Sequence, residues 1–123
     1  MSKRVLDVGN CGPDFATIKS FLSRQFNCTV EQADGLEETM AALRGGQYAL
    51  VMVNRKLDRD YSDGMDIIRA IKADALLAEL PVMLITNYPD HQDAAEAVGA
   101  LRGFGKLELD RPETLAKLKP ILT

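Results

Sequence analysis

The stretch YALVMVN, Tyr48 to Asn54, decides the fold. Its first six residues are apolar without a break, and a polar segment, Asn54 to Gly64, follows. A strand with one wet face alternates apolar and polar residues; one covered on both faces does not. Tyr48 to Val53 therefore reads as a central strand of a parallel sheet with helices on either side. PVMLIT, Pro81 to Thr86, reads the same way.

Outward from that centre, strand and helix patterns alternate. RVLDV (Arg4 to Val8) and TVEQA (Thr29 to Ala33) are strands, and Leu101 to Lys106 is a weaker fifth. Apolar residues three and four apart mark the helices between them. Pro13 to Phe26 carries Phe15, Ile18, Leu22 and Phe26, with Gly12 as the expected cap. Leu36 to Arg44 carries Leu36, Met40 and Leu43 and stops at Gly45-Gly46. Met65 to Ala75 carries Ile67, Ile68 and Ile71; Pro89 to Gly99 is alanine-rich; Arg111 to Leu122 carries Leu115, Leu118 and Leu122. Five strands alternating with five helices predict one doubly wound α/β domain over residues 1–123. In such a sheet the functional crevice lies at the carboxyl ends of the strands. That places Gly9, Asn10, Asn54, Thr86 and Lys106 there.

Composition narrows the function. Of 123 residues, 46% are hydrophobic and 27% charged, the profile of a globular domain. Fifteen Lys and Arg against eighteen Asp and Glu leave a net charge of −3, which argues against a nucleic-acid or membrane-surface partner. No apolar run nears the roughly 18 residues of a membrane span. The opening Met-Ser-Lys-Arg lacks a leader's apolar stretch, so the expected compartment is the cytoplasm. Two cysteines and one histidine supply neither a disulfide framework nor a cysteine- or histidine-rich metal site. Cys11 and Cys28 should stay reduced, because the intervening strand holds them roughly 16 Å apart.

The residues at the strand ends carry a resemblance. The chain resembles a response-regulator receiver domain of two-component signalling, over essentially its whole length. The resemblance implies a flavodoxin-like (βα)5 sandwich with strand order 2-1-3-4-5. In that family strand one ends in an acidic pair, strand three in the phosphoacceptor Asp, strand four in Thr or Ser and strand five in Lys. KRVLDVGN places Gly9 and Asn10 at the pair, YALVMVN places Asn54 at the acceptor, PVMLIT supplies Thr86 and GALRGFGK supplies Lys106. SDGMDIIRAIK, from Ser62, matches the family's Asp-Gly start of helix three.

The scaffold is in register, but the three family carboxylates are absent. A neutral amide at Asn54 is a poor nucleophile toward phosphorus. Mg²⁺ takes hard oxygen ligands and usually one or two carboxylates, which Gly9, Asn10 and Asn54 do not offer. The local charge turns from negative to positive, with Arg55 and Lys56 as candidate anion contacts beside Lys106. No metal or cofactor is expected, and no catalysis.

Other departures sharpen the picture. The loop from Asn54 to Gly64 is two residues longer than usual in the family, and its Asp58, Asp60 and Asp63 either compensate its own cations or reach back into the crevice. The family's aromatic switch position is Gly103, with Phe104, which reads as a core residue, one place later and Leu107 where the family has Pro. Asp7 sits mid-strand, where a carboxyl must be paired, hydrogen-bonded or protonated. Cys11 precedes a helix start, where a thiol can be acidified. His91 is expected on the surface.

The main expectation is a pseudo-receiver that binds a protein partner (a signalling kinase, an output protein or a second copy) without phosphorylation. The chain ends at Thr123 with no output domain, which leaves action through a partner. The resemblance implies docking on helix four, strand five and helix five, here through Arg102, Phe104, Leu107 and Leu109. The alternative is an anion or nucleotide sensor around Lys106, and a third is phosphotransfer to an unorthodox acceptor. A flavin electron carrier is excluded, since the hydroxyl-rich phosphate loop is missing.

Overall fold

Apolar patterning converts directly into a sheet in the computed structural model, which describes residues 2–123. The strands are β1 (Lys3–Val8), β2 (Cys28–Ala33), β3 (Leu50–Asn54), β4 (Val82–Ile85) and β5 (Leu101–Phe104). They pair in the order β2-β1-β3-β4-β5, each neighbour parallel. Helices α1 (Gly12–Gln25), α2 (Leu36–Gly45), α3 (Gly64–Ala73), α4 (Pro89–Ala97) and α5 (Pro112–Leu122) alternate with them, and a 3₁₀ turn, Lys106–Glu108, precedes α5. This is the expected flavodoxin-like (βα)5 sandwich.

Each sheet face buries its own core. Leu6, Val8, Val51, Val53 and Leu84 pack against Met40, Ile68, Ile71 and Ala95 of α2, α3 and α4. Val5, Leu50, Met52, Met83 and Ile85 pack against Ile18, Leu22 and Leu118 of α1 and α5. Burying one such side chain contributes roughly 1.5–3 kcal/mol, so the two cores hold the crevice residues on a rigid base.

Several boundaries differ from expectation for local reasons. Cys11, in extended backbone, is the N-cap of α1, and Gly12 already lies within the helix. Tyr48 stands ahead of β3: its hydroxyl donates to Glu31 at 2.8 Å while Arg4 stacks on its ring at 4.4 Å. Strand β5 stops at Phe104, so Lys106 lies in the 3₁₀ turn beyond it.

The β4–β5 pairing contains a bulge: Met83 pairs with Leu101 and Ile85 with Phe104, so β5 takes three steps where β4 takes two. Gly103 sits in it, where a Cβ would run into the Leu84 carbonyl and come within 3.2 Å of Met83 Cβ. Buried Gln92 of α4 spans the gap, donating to the Leu84 carbonyl at 2.9 Å and accepting from the Gly103 amide at 2.8 Å. The bulge turns Phe104 into the α1/α5 core, where it is 1% exposed. Leu109 is buried in the same core. Neither belongs to an outer docking face, which corrects that expectation; Arg102 and Leu107 are exposed.

Candidate functional site

The crevice is decided where β1 ends. Gly9 has φ +81°, a left-handed conformation that favours glycine, and a Cβ there would overlap the Leu57 side chain and lie 3.2 Å from Leu57 Cα. Leu57 is 3% exposed and packs with the core beneath α2 and α3. An apolar side chain thus covers the position where the resemblance puts the first acidic residue.

The long loop holds Leu57 there. Lys56 and Asp63 form an antiparallel bridge, Leu57 N–H donates to the Ser62 carbonyl at 2.9 Å, and Gly64 N–H donates to that of Arg55 at 2.9 Å. Asp58 N–H donates to the Gly9 carbonyl at 2.8 Å, strapping this hairpin to β1. Tyr61, at its tip, has φ 58° and is 76% exposed. Two of the loop carboxylates are spent on the hairpin and the α3 start: Asp60 accepts from Ser62, and Asp63 caps α3 through Met65 N–H and pairs with Arg55 at 3.1 Å. Asp58 is exposed, and none of the three lines the crevice, so the reading of a carboxylate reaching back is corrected.

Asn54 lies at the end of β3, and its side-chain amide donates to the Lys56 carbonyl at 2.7 Å. Beside it opens a crevice of about 320 Å³ lined by Arg55, Lys56, Thr86, Tyr88, His91 and Lys106 among others, with no carboxylate in its wall. Lys106 turns to α1, where its ammonium meets Asp14 at 2.7 Å; its hydrogen bond holds the Asp14 carboxyl below the usual range. Both groups are a third or more exposed, which limits the pair to about 0.2–1 kcal/mol. Arg55 is likewise engaged, by Asp63. Lys56 makes no ion pair among the described residues.

Sequence reasoning missed His91. It is partly buried against the crevice, with Nδ1 3.1 Å from the Thr86 hydroxyl and its ring edge-on to Tyr88. The signal was available: Thr86 ends β4, and His91 lies in the first turn of the next helix.

Asp7 has its partner in Asn10, whose side-chain amide donates to Asp7 Oδ1 at 2.6 Å. Both residues are buried, and Asp7 Oδ2 and Asn10 Oδ1 lack partners. Burial pushes the Asp7 carboxyl up to about 7, against the lesser pull of Asn10 and Lys106. Asn10 therefore leaves the crevice to serve Asp7, while the Gln32 side chain anchors its carbonyl. Both cysteines carry free thiols: Cys11 is partly exposed, and Cys28 is buried, which raises its thiol.

No family model and no curated protein sequence matches the chain. Solved structures do. The chemotaxis protein CheY4 of Vibrio cholerae superposes with a TM-score of 0.77 at 20% identity, covering 99% of this chain and 100% of that one. A candidate response regulator from Chloroflexus aurantiacus gives 0.85 at 17% identity over 99% and 98%. The beryllofluoride-activated receiver domain of Klebsiella pneumoniae RstA gives 0.79 at 18% identity over 98% of each. The chain has the fold of response-regulator receiver domains.

A pH dependence follows from Asp7. Its carboxyl titrates near 7 in the fold against 3.8 as the ordinary value, so the folded state holds the proton more tightly. This contribution is complete below about pH 4 and is lost as pH rises through 7. Between pH 5 and pH 8 the parent should lose about 2–3 kcal/mol more stability than Asp7→Asn, at about 1.4 kcal/mol per unit. Urea unfolding at the two pH values measures this; equal losses would contradict it.

Proposed function

We propose that this chain is a receiver-fold signalling module that works by binding a protein partner and takes no phosphoryl group. The observation that carries the reading is Leu57 seated on Gly9. With Asn54 at the acceptor position and bonded into its own loop, the crevice offers neither an anionic nucleophile nor a carboxylate for a divalent ion. On this reading it catalyses nothing and needs no cofactor.

The partner is a protein: a signalling kinase, an output protein or a second copy. The docking face runs along the outer edge of β5 and the α4 N-terminus. Tyr88, Leu101 and Leu107 are 66%, 45% and 77% exposed there, beside Arg102, which pairs with Asp93 and Glu96 of α4. Exposed apolar residues rimmed by charge are how docking sites present themselves. The expected compartment is the cytoplasm, consistent with the absence, among the described residues, of a helix long and apolar enough to cross a membrane.

A second reading is favoured by one observation, the crevice wall with three cationic side chains and no carboxylate. Here the module senses an oxyanion or a nucleotide phosphate held by Lys56, Arg55, Lys106 and the Thr86 hydroxyl.

Two experiments test these readings. Incubation with a small phosphodonor and Mg²⁺, followed by intact mass, should leave the mass unchanged; a stable gain of about 80 Da would overturn phosphorylation independence. Titration with phosphate, sulfate and nucleotides, followed by amide chemical shifts, should saturate on the sensor reading and weaken at least tenfold in Lys106→Ala. Flat shifts to millimolar ligand leave protein docking alone.

A further inference from the structure

Asp7 lies where β1, the start of α1 and the β5–α5 connection converge. Asn10 spends its amide on Asp7 Oδ1, leaving Asp7 Oδ2 and Asn10 Oδ1 buried and unpartnered. Both are acceptors when Asp7 is ionised, so two buried acceptors then stand without a donor. A proton on Asp7 supplies the missing donor.

The charged groups that act on Asp7 come from two other elements. Lys106 of the β5–α5 connection favours its ionised form, and Asp14 of α1 opposes it. Its strand neighbours, Gln32 on β2 and Met52 on β3, are uncharged. Lys106 is meanwhile bonded to Asp14. One ammonium thus bonds the half-exposed carboxylate and acts at longer range on the dry one.

We propose that Asp7, Asp14 and Lys106 form a proton-operated latch between α1 and the β5–α5 connection. With Asp7 protonated, Asp14 alone holds Lys106. When Asp7 releases its proton to solvent, the buried anion draws the ammonium inward and shares it. An ion pair gains strength as its surroundings lose water, so the dry carboxylate competes effectively once charged. Burial places the ionisation of Asp7 near neutral pH.

Lys106 opens the 3₁₀ turn Lys106–Glu108, so its displacement moves that turn. Leu107 N–H donates to Asn87 Oδ1 at 3.3 Å, and Gly105 N–H donates to the Glu108 carboxylate at 2.9 Å. Both bonds report the motion, and the exposed Leu107 side chain travels with it. The latch stands whether or not Leu107 meets a partner.

The test is an NMR titration of the whole chain from pH 5 to pH 9, reading the Asp7 side-chain carbon and the Leu107 and Gly105 amides. Asp7 and both amides should share one midpoint near pH 7. The amide step should vanish in Asp7→Asn and persist in His91→Gln, which excludes the histidine as its source. In Asp14→Asn the Asp7 midpoint should fall by about half a unit or more, because a like charge is gone and Lys106 is free. An Asp7 midpoint below about pH 5, or an amide step that survives Asp7→Asn, would overturn the latch. Should Asp7→Asn fail to fold, the half-exposed Asp14→Asn decides: an unmoved Asp7 midpoint refutes the coupling.

Discussion

Leu57 resting on Gly9 is the contact on which the rest of the site depends. A left-handed glycine and a leucine held by a hairpin are one feature, because any side chain at position 9 would have to displace the other. The hairpin is bonded to itself through Arg55, Leu57, Ser62 and Gly64 and to β1 through Asp58 and Gly9, so the leucine is fixed by backbone rather than by a flexible side chain. An apolar atom there removes the space and the oxygen donors a hard cation needs, and the nearby polar groups turn to other uses: Asn54 closes its own loop, and Asn10 serves Asp7.

The charges then redistribute. Lys106 has no carboxylate at the carboxyl ends of β1 and β3 to meet and reaches Asp14 on α1, while Arg55 takes Asp63. Such exposed pairs contribute little to stability. They decide orientation: the cations stay around the crevice, and their partners stay outside its wall. The one expensive group is Asp7, buried in the strand with an oxygen unpaired.

Most of the fold was legible because buried parallel strands declare themselves as apolar runs. Tyr48 to Val53 and Pro81 to Thr86 identified β3 and β4, helical spacing located four of the helices, and alanine content located α4. What escaped were features that need two distant segments at once. The β4–β5 bulge bridged by Gln92, which carries Phe104 into the core that its sequence reading favours, left no local signal. Leu109 looks like a surface leucine until α5 folds over it. Asp7 stood out as anomalous, yet Asn10 as its partner required the β1–α1 turn. Leu57 gave no signal, since an apolar residue in a polar loop has no periodicity to place it.

The seat of Leu57 can be examined directly through its methyl resonances in the presence of Mn²⁺, a paramagnetic ion with the ligand preferences of magnesium. Millimolar Mn²⁺ should leave the Leu57 methyls and the Gly9 and Asn54 amides no broader than groups on the far side of the sheet, with the Leu57-to-Gly9 nuclear Overhauser contact intact. Selective broadening of those three residues, or loss of that contact, would mean that the leucine yields its place to a metal.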